Sequence, residues 1–508
     1  MKEVVIKFLN SLGYDNISTS YYDYIDTWEK WWRNDVEFHK YKDSTGVDRK
    51  MYSLGMAKRV AEDWSSILYT ERDEIKATAK SEKITKKNNK YLEEQIKLLK
   101  IYKDLPIAIE KAMAMGTAAA IVRIKNAVVN NNGDISANNR TKLDIIYVGA
   151  SQIIPLRVEH GEIIDVAFVS EENKGDKKEY YVEIHKLVYD EEKGIDKYVI
   201  TNTYLNEEGD EIQKDGIAKT YTVNTDIPLF SILKPAIANP IDADFNIING
   251  LGFSVYGTAI DQLKVCDITY NNFAMDFYLG GKKVFYNKKI MEKKTIIVGG
   301  KEMQVEVYPD DLARQQWRTY GDEQRSLKDD PAITEYNPEL RVSEDKDGIQ
   351  FALDMISFKA GLGTKQYEFN GSSVVTATQY VGDKQDLVEN ANKHRKNVDM
   401  FVSGIGRTIL LLGRVLFNKG VSEDCVVALC DKDGFMVDTE TAKEEFRKDI
   451  AQGIRQTWEY RVKFLGEDEE TAKKMVAGEY IEDIEEDEEE KENKKSKKKP
   501  SKEDEKEE

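Results

Sequence analysis

Apolar positions recur at helical spacing through most of the first 125 residues. In "YYDYIDTWEKWWRND" (21–35) and "SLGMAKRVAEDWSSILYTERDEI" (53–75) the aromatic and aliphatic side chains fall three or four residues apart, as on one face of a helix. A lysine-rich, exposed helix is expected around 82–104. Trp28, Trp31, Trp32 and Trp64 read as core or subunit-contact residues rather than as a base-stacking platform. From about 119 to 233 the period changes to two, in runs such as "LDIIYVG" and "EYYVEIHKLVYD", which predicts a β-rich region built from hairpins. "EHGE" (159–162) reads as a turn between two strands, with His160 exposed on it, and His185 sits in a strand with no evident partner.

A proline-punctuated extended stretch then leads into a long helix predicted over 254–279 and stopped by Gly280 and Gly281. A strand-like insertion follows, with Gly299-Gly300 as a hairpin turn, and then a polar segment over 312–340. Helix is expected again over 345–360, where Ile349, Leu353 and Ile356 lie on one side and Phe351, Met355 and Phe358 on another. A helix apolar around much of its circumference has to be covered on several sides, and neighbouring copies of the chain could supply the cover. The next stretch, "GLGTKQYEFNGSSVV" (361–375), is too long for a connection between packed helices that does nothing else. The longest helical pattern spans 378–417, with Gly404 and Gly406 as candidate bend points. "CVVALCDKDGFMV" (425–437) predicts a short strand pair, 439–479 a charged helical segment, and 481–508 a disordered tail of Lys and Glu.

Composition narrows what such a chain can do. A net charge of −18 over 508 residues argues against a static nucleic-acid binder, which would carry a basic face, so DNA contact should be weak or transient. Three cysteines, Cys266, Cys425 and Cys430, imply no disulfide framework and suggest a reducing, intracellular setting. The opening "MKEVVIKFLNSLGYDN" lacks the pattern of a secretory signal, and the most apolar run (108–124) is interrupted by Glu110 and Lys111, so no membrane segment is expected.

Little in the sequence advertises catalysis. No GxxxxGK[S/T] loop, GxSxG elbow or HExxH motif is present, so an ATP-driven motor is not expected and no cofactor is implied. Cys425 and Cys430 lack a second ligand pair for zinc and read as buried strand or turn thiols; Cys266 reads as packing. "IDADF" (241–245) offers the carboxylates Asp242 and Asp244, with Asp261 and Asp267 in the next helix, but such spacing is common in acidic chains near a helix start.

The order of these elements, carried by "MAKRVAEDWSSILYTERDEI" (56–75), "GFSVYGTAIDQLKVCDITYNNFAMDF" (252–277) and "GLGTKQYEFNGSSVVTATQYVGDKQDLVENANKHRKNVD" (361–399), resembles the portal proteins of tailed double-stranded DNA bacteriophages, of the siphovirus type. The resemblance implies an α+β portal fold assembled as a ring, with twelve subunits expected, around a central channel. It implies a wing over 1–240, a linker and first stem helix over 241–279, a clip over 280–344 and a second stem helix over 345–360. A channel loop and long wing helix would follow over 361–400, then a crown over 401–480 and the charged tail over 481–508.

Such a ring would be a non-enzymatic conduit at one capsid vertex, assembled in the bacterial host cytoplasm and carried in the virion. Through it genomic DNA is packaged and ejected. The implied partners are the duplex in the channel, the terminase large subunit that supplies ATP-driven force, a head-completion or adaptor protein, and the major capsid and scaffold proteins. The residues implied for the channel loop are Gly361, Gly363, Thr364, Lys365, Gln366, Asn370, Gly371, Ser372 and Ser373: flexible backbone, brief hydroxyl and amide contacts, and one cation. Those implied for subunit contact in the stem are Leu263, Phe273, Phe277, Leu353 and Ile356. Two other readings remain: a collar or minor capsid component without a conduit, and a metal-dependent enzyme using Asp242 and Asp244.

Overall fold

The helical spacing of the first segment produces α1 (Lys2–Ser11), α2 (Ser20–Trp32), α3 (Met56–Leu68), α4 (Glu82–Leu99) and α5 (Ile101–Met115). An exposed hairpin of β1 (Lys40–Lys42) and β2 (Asp48–Lys50), and strand β3 (Glu74–Thr78), lie between them. A computed structural model of the chain describes residues 2–14, 17, 19–43, 46–69, 74–130, 133–174, 177–190, 195–214, 218–241, 250–281, 283–287, 292–299, 301–307, 317–320, 333–368, 385–430, 439–465 and 469–477. Trp28, Trp31 and Trp64 are buried within the chain, and Trp32 is half-buried with its indole N–H donating to Glu110 at 2.8 Å. The tryptophans therefore belong to the chain's own core.

The strand region begins with β4 (Ala118–Lys125), β5 (Val128–Val129), β6 (Ile135–Ser136) and β7 (Lys142–Gly149). It continues with β8 (Ile153–Glu159), β9 (Glu162–Lys174), β10 (Lys177–Asp190), β11 (Ile195–Leu205), β12 (Glu211–Ile212), β13 (Thr220–Val223) and β14 (Phe230–Leu233). One antiparallel sheet runs β12-β11-β10-β9-β8, with β13 also on β11; a second runs β14-β4-β7. The β8–β9 turn puts His160 (φ 51°) and Gly161 (φ 80°) in the left-handed region, with His160 exposed as expected.

The segment entering the next helix is threaded through the α2–α5 body. Tyr21 donates its hydroxyl to Gly252 O at 2.6 Å, Tyr256 to Trp28 O at 2.8 Å, and Trp28 meets Phe253 edge-on at 5.0 Å. The backbones of Gly116 and Gly252 cross here without room for side chains. A Cβ on Gly116 would lie 2.2 Å from Gly252 O, and one on Gly252 would lie 2.3 Å from Gly116 O.

Helix α6 (Ile260–Leu279) follows a short 3-10 turn at Gly257–Ala259, so regular helix starts later than the sequence pattern predicts. The insertion contains β15 (Lys283–Asn287), β16 (Glu292–Val298), β17 (Lys301–Val307), β18 (Trp317–Tyr320) and β19 (Ile333–Tyr336). β15 is flanked by parallel β18 and antiparallel β19, and β16–β17 form the expected hairpin. Then come α7 (Val342–Lys359), α8 (Gln385–Val415), β20 (Val426–Cys430), α9 (Thr439–Ala451), α10 (Thr457–Leu465) and α11 (Glu469–Ala477).

Helix α8 runs through its glycines, and each marks a close approach. A Cβ on Gly404 would meet Ser231 Oγ at 2.5 Å, on Gly406 Val427 Cγ1 at 2.7 Å, and on Gly413 Tyr91 Cε1 at 2.5 Å. Strand β20 pairs antiparallel with the distant β3, from Val426↔Thr78 to Cys430↔Glu74; the second strand expected from the sequence lies outside the described residues.

The chain divides into two compact units, Met1–Lys432 and Asp433–Glu508. An organisation that begins a new region at 401 would cut α8. In the second unit Phe446 is buried among Tyr460 and Phe464 at 6.1 and 5.4 Å. Among the described residues, no helix is long and apolar enough to cross a membrane.

Candidate functional site

Helices α6 and α7 form an antiparallel pair. Arg341, at the start of α7, makes a bidentate ion pair with Asp276 near the end of α6, at 3.0–3.1 Å, while further down Gly348 faces Thr269. Burial along the pair is graded. On α6 the buried residues are Leu263, Cys266 and Asp267; on α7 they are Ala352, Leu353, Ile356 and Ser357. Both sets lie at the end of the pair nearest the body, and from Ile268 to Leu279 and from Val342 to Phe351 no residue is buried.

That base is fixed by polar contacts as well as packing. The Asp267 carboxylate meets His39 Nε2 at 2.9 Å and accepts the Leu54 N–H at 2.9 Å. Burial raises its pKa, and these two partners oppose the rise. The same burial, with Asp267 beside it, pushes the Cys266 thiol up to about 12, which keeps it protonated and unreactive as a packing group. The α7 end is held by Trp64, whose indole N–H donates to Ala360 O at 3.0 Å.

Exposed apolar side chains on the pair lie mainly on α6, whereas the unburied stretch of α7 is largely charged, with Glu344, Lys346 and Asp347 exposed. Phe273 is half-buried and stacks edge-on against Phe277 at 4.9 Å. Phe277, Tyr278, Leu279, Val265 and Ile268 on α6, and Phe351 and Phe358 on α7, are exposed, Phe351 to 67% and Tyr278 to 72%. The expected subunit-contact residues thus separate into two groups. Leu263, Leu353 and Ile356 are at most 1% exposed in one copy, because the two helices and the body cover them; they are corrected to core residues of the chain. Phe277, and partly Phe273, remain available, joined by Phe351 and Phe358, which the sequence placed on a second side of α7, and by Val265, Ile268, Tyr278 and Leu279.

The loop after α7 starts with a defined helix stop. Leu362 N–H donates to Ser357 O at 2.9 Å and Gly361 N–H to Phe358 O at 3.1 Å, with Gly361 at φ 77°: the two bonds of a Schellman motif. Asn390 of α8 donates to Gly361 O at 3.1 Å, Ser357 Oγ to Gly363 O at 2.5 Å, and Gln350 to Tyr367 O at 3.2 Å. Burial beside the Asp63 carboxylate raises the Tyr367 phenol. Gly361 and Gly363 (φ 82°) therefore set a hydrogen-bonded turn of left-handed backbone at the start of the loop. Thr364 and Lys365 are exposed and Gln366 is half-buried. Asn370, Gly371, Ser372 and Ser373 lie outside the described residues, as do Asp242 and Asp244.

Two buried histidine networks were not evident in the sequence. His185 Nδ1 lies 2.9 Å from the Tyr198 hydroxyl and its Nε2 lies 3.2 Å from Glu183 Oε1; the Arg123 Nε donates to Glu183 at 2.7 Å. Burial works to raise the Glu183 carboxyl, yet His185 and Arg123 outweigh it and hold it below the usual range. The cluster ties β4, β10 and β11 together. The second is the His39–Asp267 pair at the base of α6. No three metal-ligating side chains converge among the described residues. Cys425 and Cys430 are half-buried at opposite ends of β20, roughly 16 Å apart along an extended strand, which is too far for one ion.

The features that stand together are an antiparallel helical pair anchored at one end and unburied at the other, with exposed apolar side chains mainly on α6, followed by a hydrogen-bonded glycine turn. No family model matches this chain, and no curated protein matches it.

Proposed function

We propose that this chain is a portal-type subunit: it assembles through α6 and α7 into a closed ring of like copies around a channel for double-stranded DNA at a capsid vertex. One observation carries the reading. The outer halves of α6 and α7 hold Ile268, Phe277, Tyr278, Leu279 and Phe351, with no residue of this stretch buried in one copy. Burying each such side chain is worth about 1.5–3 kcal/mol, so a surface of this kind is stable in water only when covered. Because α6 and α7 present different faces, a rotated copy meets one face with the other, and repetition of that contact closes a ring.

On this reading the strands β15–β19 at the tip of the pair form the docking surface for the terminase and then for head-completion proteins. The chain supplies no nucleotide loop of its own, and the terminase would supply the force. The residues after Gly363 would border the channel, where exposed Thr364 and Lys365 could touch phosphates briefly. A net charge of −18 and a single cation, Lys365, within 361–368 suit a conduit better than a tight DNA clamp.

Replacing Tyr278 and Phe351 together by aspartate tests the reading. Both are exposed in one copy, at 72% and 67%, so the variant should fold with an unchanged unfolding temperature and sediment as a single chain, whereas the parent sediments as a ring. A variant that still forms the parent's assembly would overturn the assignment of this surface.

A further inference from the structure

The chain carries a second surface whose chemistry the ring does not use. Along the outer face of α4, Lys83, Lys87 and Lys90 recur at helical spacing, all exposed and without an ion-pair partner among the described residues. The Lys87 ammonium lies against Gly420, where an added Cβ would come within 2.9 Å of it. At the far end of α4 opens a cleft of about 600 Å³ between α4, the start of α5, β7 and the residues after α8. Its rim bears Lys100, Lys142 and Lys419, again exposed and unpaired among the described residues; its apolar lining includes Leu98, Ile145 and Phe417. Lys100 joins α4 to α5 in the left-handed region, at φ 55°.

We propose that this cleft docks an acidic segment of a partner protein that also carries apolar side chains, bound as an amphipathic helix or turn. Charge complementarity selects the acid: Lys100, Lys142 and Lys419 stand on the rim, and Lys83, Lys87 and Lys90 continue along α4. The lining selects the apolar part, because Leu98 is 72% exposed and Phe417 half-buried, ready to be covered. Asp104 and Asp144 stand inside the cleft and repel phosphate and carboxylate alike, Asp144 being held by Lys125 at 2.6 Å, so the acids of the segment meet the lysine rim and its apolar side chains the interior.

The test measures fluorescence anisotropy of the purified full-length protein with three labelled probes of similar length: a glutamate peptide with leucines at helical spacing, a polyglutamate peptide and a short DNA duplex. The proposal expects the glutamate–leucine peptide to bind most tightly. Combined Lys100→Glu, Lys142→Glu and Lys419→Glu changes should weaken it by about tenfold or more with no change in unfolding temperature. Leu98→Ser, at an exposed position, should weaken that peptide and leave polyglutamate unaffected. Equal or tighter binding of the duplex would reassign the patch to nucleic acid; equal binding of polyglutamate would reduce it to simple charge; either result, or no binding of any probe, overturns the proposal. None of these outcomes bears on ring assembly, which uses α6 and α7.

Discussion

At the scale of single residues, the structure depends on close approaches and buried polar groups that a linear reading does not reveal. His394 lies on α8, which otherwise reads as a run of apolar and charged positions. In the fold it is buried, its Nδ1 accepts the Ala236 N–H at 2.9 Å, and its ring meets Trp64 edge-on at 4.7 Å. Burial, with the Lys393 charge next to it, lowers its pKa to about 4 from an ordinary 6.5. The unfolded chain therefore takes up this proton as pH falls below 6.5, while the folded chain resists until about 4. Stability from neutral His394 is complete above the upper value and is lost as pH falls through the window, by roughly 3 kcal/mol. His394→Asn, which keeps an acceptor for the Ala236 amide, should flatten the unfolding free energy against pH across that window, measured by urea titration. Gly116→Ala should cost about 2 kcal/mol or more, because the residue sits at φ 79° against the Gly252 carbonyl; the unfolding midpoint reads it directly. Neither effect was legible in sequence: Ala236, Trp64 and Gly252 reach these positions only through long-range packing. His185 is the same case. It reads as a lone strand histidine, yet it meets Glu183 on its own strand and Tyr198 on the next, and Arg123 from a third strand pairs with that Glu183.

At the scale of elements, periodicity located the helices and most of the sheet because those patterns are local. The hairpin turns at Gly161 and Gly299 and the multi-sided apolar character of α6 and α7 were readable for the same reason. Which side of each helix faces inward was not, since low amphipathicity leaves several faces eligible and only the fold chooses. Leu353 illustrates the outcome: it shares α7 with Phe351, yet one is 1% exposed and the other 67%. Leu353→Asp should prevent folding of the single chain, whereas Phe351→Asp should leave it folded and impair assembly; circular dichroism with sedimentation separates the two. The Schellman turn makes a related prediction. Gly361→Val forces a β-branched residue into the left-handed region beside Asn390 and Trp64, and should lower stability by about 1–2 kcal/mol. Calorimetry checks this, and a DNA-packaging defect in that variant would then reflect a misplaced helix end rather than a stiffened loop.

At the scale of the whole molecule, the residues most at odds with an isolated chain in water are those on the outer halves of α6 and α7. A closed ring gives every copy the same cover and leaves an axial opening, which the proposed passage of DNA requires. The most direct test is the mass of the purified full-length protein at near-physiological salt, by native mass spectrometry or light scattering. The account predicts a discrete assembly of about a dozen copies. A stable, folded monomer across the accessible concentration range would contradict it.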